Sequence, residues 1–388
     1  MILGIDACHI RGGGGGVTHL VELLRAADPL VYGFEKVIVW GDLAILDRIE
    51  ERPWLSKRRD PLLEKSLPYR AYWQRYRLSR LARESECSVL FVPGGSFPGH
   101  FQPTVTMSRN MLPFERRELK RFGLSWMTLK LIVLRVVQAR AFRRADGLIF
   151  LSRYAHDRVM PIIRRSAGRT TLIPHGIDDR FTCSVRKQFA IGEYSLDRPF
   201  RVLYVSSVDV FKHQWQVVEA VRELRAAGLP VALELIGPAY PPALRRLKRT
   251  MDLADPSGQF ARYLGAVPHG ELHSRYRLAD VCLFASSCEN LPNNLLEGMA
   301  SGLAIACSDR GPMPEVLGDT GVYFDPENPR SIATALKTLI DAPELRARMA
   351  SASLERSQKY SWKHCAEETF AFLAEVASGQ PNSATPTA

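Results

Sequence analysis

The sequence predicts an α/β protein with two domains, each a parallel sheet covered by helices. Short runs of β-forming residues alternate with helical patterns such as HQWQVVEAVRELRAAG (213–228) along nearly the whole chain. This alternation is typical of parallel sheets, because each return to the same edge of a sheet needs a crossover connection. At 388 residues the chain also exceeds the size at which one hydrophobic core keeps growing, so two domains are expected.

The strand candidates are short apolar runs bounded by turn residues. In the first half they are ILGID (2–6), KVIVW (36–40), SVLFV (88–92), PTVTM (103–107), GLIFL (147–151) and TTLIP (170–174). In the second half they are RVLYV (201–205), ALELIG (232–237), RYLGA (262–266), VCLFA (281–285), AIACS (304–308) and GVYF (321–324).

Residues 175–199 interrupt the alternation of strand and helix patterns and are predicted as the linker between the domains. The domains are then 1–178 and 179–379, and the polar residues 380–388 are predicted as a disordered tail. Ligands of parallel sheets bind beyond the carboxyl ends of the strands, so the site is expected in a deep cleft across which the two domains face each other.

Composition favours a protein of a reducing compartment. The seven cysteines form no CxxC pair and no metal-ligand pattern, which indicates reduced thiols in the cytosol. The first residues, MILGIDACHI, lack the basic start of a signal peptide. No membrane span is expected either, because Lys130 and Arg135 interrupt the apolar run LKLIVLRVV (129–137).

The net charge of +11 comes from the first half of the chain. Residues 1–178 hold 29 Lys and Arg against 17 Asp and Glu, whereas residues 179–388 hold 23 against 24. The basic residues cluster at 57–59, 69–83 and 115–144. Such a domain is expected to face something anionic, for which a phospholipid surface, an anionic substrate and nucleic acid are the candidates. A solvated face without a partner is the alternative.

A turn with two glutamates is the strongest functional signal. In SSCENLPNNLLEGMASG (286–302), Glu289 precedes a helix predicted to start at Pro292 and Asn293, and Glu297 lies on that helix. A helix start carries unpaired amides and about half a positive charge, which suit a phosphate. Carboxylates on both sides would suit the hydroxyls of a sugar. The alternative is that both glutamates are solvated surface groups.

The loop RGGGGGV (11–17) follows the first strand and precedes the helical pattern THLVELLRAA (18–27). Consecutive glycines allow a backbone to approach a pyrophosphate closely. The loop fits GxGxxG poorly, and no ribose-binding acid ends the next strand, so a nicotinamide cofactor is disfavoured. A mobile loop without a ligand is the alternative.

Lys212 follows the strand RVLYV at a predicted helix start, where its charge can neutralise a diphosphate leaving group. A surface lysine is the alternative. The chain has no Asp-x-Asp, the pattern with which many sugar transferases hold a divalent ion. We therefore expect no metal and no cofactor.

These motifs resemble the family 4 retaining glycosyltransferases, which have the two-Rossmann GT-B fold. The most specific match is Glu-x7-Glu, from Glu289 to Glu297. The rest of the resemblance is carried by the glycine loop, LSRYAHDRV (151–159), TLIPHGID (171–178), YVSSVDVFK (204–212), LELIGP (233–238), residues 262–316 and GVYFDPENP (321–329).

The resemblance implies a role for each matching residue. Glu289 would contact the donor sugar and Glu297 the nucleotide ribose, while Lys212 would bind the phosphates and Val267 would lie near the base. The further donor-side residues that it implies are Gly15, Gly16, Ser207, Leu291, Pro292, Asn293 and Asn294.

Two positions depart from the family's pattern. The family commonly has an arginine five residues before the lysine, where this chain has Ser207, so a positive charge is missing unless another arginine such as Arg310 replaces it. Family members also often have a histidine after the fourth strand of the first domain. Here MSRNMLPFE (107–115) offers Arg109 or Asn110 as acceptor-side residues.

The implied function is retaining transfer of a hexose from a nucleotide diphosphate sugar to a glycan hydroxyl. GDP-mannose is favoured as the donor, and UDP-hexoses stay open. The basic first domain fits a lipid-linked acceptor of surface polysaccharide or lipopolysaccharide biosynthesis. The protein would then be cytoplasmic and peripheral on the inner face of the plasma membrane, with residues 125–144 either on that surface or in the core.

Three other classes of protein stay open. A nucleotide-sugar epimerase shares the fold. A nucleic-acid-binding protein would explain the charge, although the sequence shows no recognition motif, so no nucleic-acid partner is expected. The departure at Ser207 also fits a catalytically silent protein that binds nucleotide sugars.

Overall fold

The computed structural model of the chain describes residues 1–11, 14–164 and 168–379. Two compact units interleave along the chain. Unit 1 comprises Met1–Phe114, Ser125–Gly176 and the chain from Ser361 onward, and unit 2 comprises Glu115–Leu124 and Ile177–Tyr360. The tail predicted at 380–388 lies outside the described residues.

Unit 1 is built on one parallel sheet. Its strands are β1 (Ile2–Asp6), β2 (Lys36–Gly41), β3 (Leu55–Arg59), β4 (Val89–Val92), β5 (Thr104–Ser108), β6 (Gly147–Phe150) and β7 (Arg169–Leu172). Over the described residues these seven strands lie in the order β3-β2-β1-β4-β5-β6-β7. All four residues of β4 and of β6 are buried, as expected for a sheet covered on both faces.

The helices of unit 1 pack through apolar stripes at helical spacing. Helix Gly15–Ala26, for example, buries Val17, Leu20 and Leu24. The α-helices are Gly15–Ala26, Leu43–Leu46, Leu67–Tyr72, Ser79–Glu84, Trp126–Arg144, Arg153–Ile163 and Trp362–Ala377, with a π-helical segment at Trp73–Leu78 and 3-10 turns at Pro29–Tyr32, Pro61–Glu64 and Leu112–Phe114.

Unit 2 is built on a second parallel sheet. Its strands are β8 (Phe200–Val205), β9 (Val231–Ile236), β10 (Ala261–Tyr263), β11 (Val281–Phe284), β12 (Ala304–Ser308) and β13 (Val322–Phe324), in the order β10-β9-β8-β11-β12-β13. Its α-helices are Arg116–Lys120, Gln214–Ala226, Pro241–Ala254, His269–Leu278, Asn293–Ala300, Met313–Leu317, Pro329–Asp341 and Pro343–Ser357, with 3-10 turns at Asp179–Phe181 and Ile191–Glu193.

Each predicted strand overlaps an observed strand, which confirms the predicted fold class of two α/β domains with parallel sheets. The prediction lacked β3, whose sequence LSKRR ends in three basic residues. β3 lies at the sheet edge beside β2, and its last two residues are exposed. An edge strand can keep charged side chains in water, so it lacks the apolar pattern that marks a buried strand.

The boundary between the units lies two residues before that of the predicted domains 1–178 and 179–379, and two longer segments are assigned differently. Helix Trp362–Ala377 belongs to unit 1, because its aromatic side chains are buried there. The ring centroids of Phe370 and Phe34 lie 6.2 Å apart, and a Cβ on Gly147 would lie 2.9 Å from the Phe372 ring. Residues 115–124, although early in the sequence, belong to unit 2.

The helices that the structure describes include none that combines the length and the apolar character needed to span a bilayer. The longest of them, Trp126–Arg144, contains five basic residues.

Arg346 anchors part of the predicted linker 175–199 to unit 2. Its side chain is fully buried and lies 5.1 Å from the centroid of the Phe200 ring. The guanidinium donates to the carbonyls of Leu339 and Ile340 at 2.6 and 2.7 Å, which end helix Pro329–Asp341, and to the Gln188 side chain at 3.0 Å. One side chain therefore closes a helix end and holds the linker against it.

We expect Arg346→Met to lower the free energy of unfolding by about 3 kcal/mol, because it leaves two buried carbonyls without donors. Urea unfolding followed by circular dichroism measures this change. The matched control is Arg348→Met, an exposed arginine of the same helix, for which a change within about 0.5 kcal/mol is expected. Equal destabilisation by both variants would contradict the anchoring role.

Candidate functional site

The strongest sequence signals lie where the order of the second sheet reverses. β8 and β11 are neighbours in the sheet but are far apart in the chain, so the segments that follow them leave in opposite directions. Such a reversal opens a crevice at the carboxyl ends of the strands. Ser207 and Lys212 follow β8, and Glu289 follows β11, so the fold brings these predicted residues to one place.

Lys212 and Glu289 form an ion pair at this crevice. The side chain of Lys212 is 9% exposed and that of Glu289 is 17% exposed, so both charges are largely withdrawn from water. The ammonium nitrogen also lies 5.1 Å from the centroid of the Phe211 ring and 5.6 Å from that of the Phe284 ring. The aromatic faces add a favourable electrostatic contact to the pair.

Three side chains next to this pair in the sequence or in the fold form a hydrogen-bonded network that the sequence analysis did not predict. The Ser287 hydroxyl donates to the carboxylate of Glu118 at 2.8 Å and lies 2.9 Å from Nε2 of His213. Burial lowers the pKa of His213 to about 4, so its ring is neutral and Nε2–H can donate to Ser287. His213 has φ = 54°, a left-handed conformation that histidine adopts more readily than most residues.

The sequence pointed to only two of the three residues in this hydrogen-bonded network. His213 and Ser287 lie beside Lys212 and Glu289 in the matched motifs, and their neighbourhood could have suggested them. Glu118 had no sequence signal, because 169 residues separate it from Ser287.

Glu297 is held by a phenol and an imidazole. The phenol of Tyr276 donates to its carboxylate at 3.1 Å, and Nε2 of His269 lies 3.1 Å from the other oxygen. The hydrogen bond with Glu297 raises the pKa of His269, although burial opposes this shift. His269 therefore keeps its positive charge, and its pairing with Glu297, to a higher pH than a free histidine would.

The turn between the two glutamates runs into helix Asn293–Ala300, with Pro292 as the residue before its first turn. The Asn294 side chain donates to the carbonyl of Val205 at 2.8 Å and so ties the helix start to the end of β8. Leu291 and Pro292 are buried, whereas Asn293 is half-buried. Val267, predicted near the base, is half-buried and lies just before helix His269–Leu278.

Arg310 is already paired with acidic residues, so it does not offer a free positive charge in place of the arginine that the family has at the position of Ser207. Its guanidinium lies 3.3 Å from the carboxylate of Asp309 and 3.1 Å from that of Asp325. Two acids therefore balance its charge. Within the part of the chain that the structure describes, no cluster of three or more His, Cys, Asp or Glu side chains could hold a metal ion.

The predicted residues of the first half lie in unit 1. Gly15 begins helix Gly15–Ala26, while Gly12 and Gly13 of the glycine loop lie outside the described residues. Nη1 of Arg109 lies 3.5 Å from the carbonyl oxygen of Gly16, so these two predicted residues meet. Asn110 is exposed, and its side chain accepts a hydrogen bond from the amide of Leu112 at 3.0 Å, as in a local turn.

Comparison with known proteins finds a family match within unit 2. Residues 187–356 match the family model described as glycosyl transferases group 1. The D-inositol 3-phosphate glycosyltransferase of Corynebacterium efficiens is 26% identical over 190 residues, which cover 48% of this chain and 45% of that protein. The chain thus spans about half the length of this relative.

A longer match is found with a mycobacterial protein, the GDP-mannose-dependent alpha-(1-6)-phosphatidylinositol monomannoside mannosyltransferase of Mycolicibacterium smegmatis. It is 28% identical over 291 residues, which cover 70% of this chain and 67% of that protein.

Two solved structures share the fold over nearly the whole chain. Sucrose-phosphate synthase from Thermosynechococcus elongatus has a TM-score of 0.74 and 19% identity, covering 98% of this chain and 100% of its own. HepE from Anabaena, solved with UDP and glucose, has a TM-score of 0.64 and 17% identity, covering 98% and 99%. Residues 187–356 thus match the model of the group 1 glycosyl transferases, and the chain shares its two-domain α/β fold with these two structures over nearly its whole length.

Proposed function

We propose that the protein transfers a hexose from a nucleotide diphosphate sugar to a hydroxyl of a glycan, with retention of the anomeric configuration. One observation carries the proposal. Lys212 and Glu289 form an ion pair where the strand order of the second sheet reverses. Helix Asn293–Ala300 starts four residues after Glu289 and carries Glu297. This arrangement supplies a cation, helix amides and two carboxylates, which are the groups that a sugar diphosphate needs.

In the proposed reaction, the bond between the anomeric carbon and the diphosphate oxygen breaks while a bond to the acceptor oxygen forms on the same face. The acceptor's proton passes to the departing phosphate oxygen. Lys212 and the amides of residues 290–294 stabilise the charge that develops on the diphosphate. Because Lys212 is already desolvated beside Glu289, little reorganisation is needed when the phosphate arrives.

Glu289 and Glu297 have separate parts in this proposal. Glu289 positions hydroxyls of the donor sugar instead of attacking the anomeric carbon. Glu297 accepts hydrogen bonds from the ribose of the nucleotide, and His269 and Tyr276 hold its carboxylate in place for that purpose. Val267, in the segment before His269, remains our candidate for contact with the base, and Gly15 and Gly16 for contact with the diphosphate.

GDP-mannose is the favoured donor, and UDP-hexoses stay open. The name of the mycobacterial relative specifies GDP-mannose, whereas HepE was solved with UDP and glucose. No metal is proposed, because the groups around the diphosphate are cations and amides of the protein itself.

We further propose that the acceptor is lipid-linked and that the protein attaches to the inner face of the plasma membrane during surface polysaccharide biosynthesis. Helix Trp126–Arg144 supports this attachment. One of its faces packs into unit 1 through Leu131, Ala139 and Phe142. The other face exposes large apolar side chains, including Trp126 (77%), Val133 (54%) and Val136 (62%).

Because this helix is positively charged, we propose an anionic bilayer as its partner. The helix carries Lys130, Arg135, Arg140, Arg143 and Arg144 and no acidic residue. An apolar face flanked only by cations suits insertion at a phospholipid surface, where each cation contributes about 1 kcal/mol. Residues 125–144 thus contribute to the core on one face and are open to solvent on the other.

The role of Glu289 can be tested with Glu289→Ala. We expect turnover with a suitable acceptor to fall by about 10²-fold or more, because donor hydroxyls lose their positioning group. The melting temperature should also fall, because Lys212 loses its partner, while circular dichroism at 25 °C should still show a folded protein. Glu355→Ala, an exposed glutamate of helix Pro343–Ser357, is the matched control. Near-normal turnover in Glu289→Ala would remove this assignment, and product analysis with the donor alone would reveal an epimerase.

The nucleotide can be identified by thermal shift across GDP- and UDP-sugars. A ligand at about 100 times its dissociation constant adds roughly 2.7 kcal/mol of stability. We expect one nucleotide series to raise the melting temperature and Glu297→Gln to lose most of that shift, since an amide accepts ribose hydroxyls less well than a carboxylate. A shift of equal size in both proteins would show that Glu297 does not bind the ribose.

Sedimentation with vesicles tests the membrane proposal. At low salt, we expect the wild type to bind vesicles rich in phosphatidylglycerol and to lose about tenfold in affinity in Val133→Asp/Val136→Asp. Leu253→Asp, an exposed leucine of unit 2, is the matched control and should bind normally. Absence of vesicle binding would refute the proposal, and concentration-dependent dimers that the double variant abolishes would show that a second copy covers this face.

A further inference from the structure

The first sheet also reverses its strand order, and the residues that meet there were not among the predicted site residues. β1 and β4 are neighbours in the sheet, and the segments that follow them leave in opposite directions. His9 lies three residues after the end of β1, and Ser96 lies four residues after the end of β4. Ligands of parallel sheets bind at such a reversal, beyond the carboxyl ends of the strands. This edge of unit 1 is therefore a place for a ligand.

Gln74 joins the two segments from the π-helical segment Trp73–Leu78. Its side chain is 1% exposed. The amide nitrogen donates to the carboxylate of Asp6, the last residue of β1, and to the carbonyl of Ser96 at 2.7 Å. Because both of these groups accept, the orientation of the amide is fixed, with its nitrogen toward them. The amide oxygen lies 3.1 Å from Nε2 of His9.

This arrangement fixes which nitrogen of His9 carries the proton. An amide oxygen can only accept, so Nε2 of His9 is the N–H that donates to Gln74. In the neutral ring Nδ1 then carries a lone pair, and it has no hydrogen-bond partner in the part of the chain that the structure describes. His9 is half-buried, which leaves Nδ1 within reach of a ligand.

The surroundings of His9 hold it in place before any ligand binds. Nη1 of Arg70 donates to the carbonyl of Cys8 at 2.9 Å and so fixes the backbone next to His9. Gly94, two residues after β4, lies against His9, because a Cβ added to it would be 3.3 Å from the Cβ of His9. Support of this kind keeps Nδ1 pointing in one direction and lowers the ordering cost of binding.

We propose that His9 binds a hydroxyl of the acceptor glycan by accepting its hydrogen bond at Nδ1, and that Gln74 is the positioning residue that fixes this tautomer. The inference rests on the proposed glycosyl transfer, which needs a second substrate that carries hydroxyls. A lone pair suits a hydroxyl, which can donate. It does not suit an ionised diphosphate, whose oxygens only accept. In the proposed reaction the proton passes to the departing phosphate, so His9 orients the acceptor and does not deprotonate it.

Nitrogen-15 NMR of the imidazole rings of the full chain tests this assignment without any turnover. In mildly alkaline buffer, we expect the His9 signals to show a protonated Nε2 and an unprotonated Nδ1. Gln74→Met, whose thioether accepts only weakly, should give a mixture of the two tautomers. Octyl α-D-mannopyranoside, which presents sugar hydroxyls on an alkyl chain, should shift the Nδ1 signal, whereas GDP and UDP should leave it in place. A protonated Nδ1, or an Nδ1 signal that the glycoside does not move, would overturn the proposal.

Two substitutions of His9 separate the parts played by its nitrogens. The amide of asparagine lies where Nδ1 lies, whereas the longer glutamine reaches toward Gln74. With the donor that the thermal-shift screen identifies, we expect the KM for octyl α-D-mannopyranoside to rise about tenfold in His9→Gln and less in His9→Asn. Hydrolysis of the donor without acceptor should change by less than about twofold, because the donor keeps its contacts. His364→Gln, an exposed histidine of helix Trp362–Ala377, is the matched control.

The outcomes distinguish this inference from the proposed function. Circular dichroism and melting temperature show which variants are folded. Transfer by the wild type, with an unchanged KM for the glycoside in folded His9→Gln and Gln74→Met, would overturn the role of His9 and leave the proposed transfer standing. Absence of transfer by the wild type would count against the proposed transfer, and the NMR titration would still decide whether Nδ1 meets a hydroxyl.

Discussion

The ion pair between Lys212 and Glu289 is the interaction around which unit 2 is organised. Two charges that are largely removed from water must meet, because either one alone would cost several kcal/mol. They meet only because β8 and β11 are adjacent and parallel, which places the segments that follow them at one edge of the sheet. The reversal of strand order thus provides the crevice and also the partner that each charge needs.

The two glutamates of the motif differ in their surroundings, and this difference supports the separate roles that we propose for them. Glu289 faces a permanent cation, so its charge is balanced before any ligand binds. Glu297 is held by a phenol and an imidazole, which orient the carboxylate without a permanent positive charge. In our proposal the first carboxylate meets hydroxyls of the donor sugar beside the cation that meets the diphosphate, and the second carboxylate meets hydroxyls of the ribose.

The interleaved chain makes the site of unit 2 depend on a segment from the first half of the sequence. Residues 115–124 leave the first sheet after β5 and place Glu118 against Ser287, two residues before Glu289. Glu118 is buried and also pairs with Arg121 at 2.7 Å, so its charge is satisfied without solvent. The backbone that carries Glu289 is therefore supported from residues that the motif does not contain.

The sequence by itself determined the strands other than the edge strand β3, and the local motifs. Apolar period and turn residues marked the strands, and the placement of Lys212 and Glu289 just after strands fixed which end of the sheet they occupy. Only the tertiary structure decided the contacts between distant residues. Glu118 meets Ser287, Arg109 meets Gly16, and the last helix packs in unit 1. Local sequence patterns encode backbone conformation. Contacts between polar groups 93 residues apart, as in Arg109 and Gly16, or 169 residues apart, as in Glu118 and Ser287, depend on how whole elements pack.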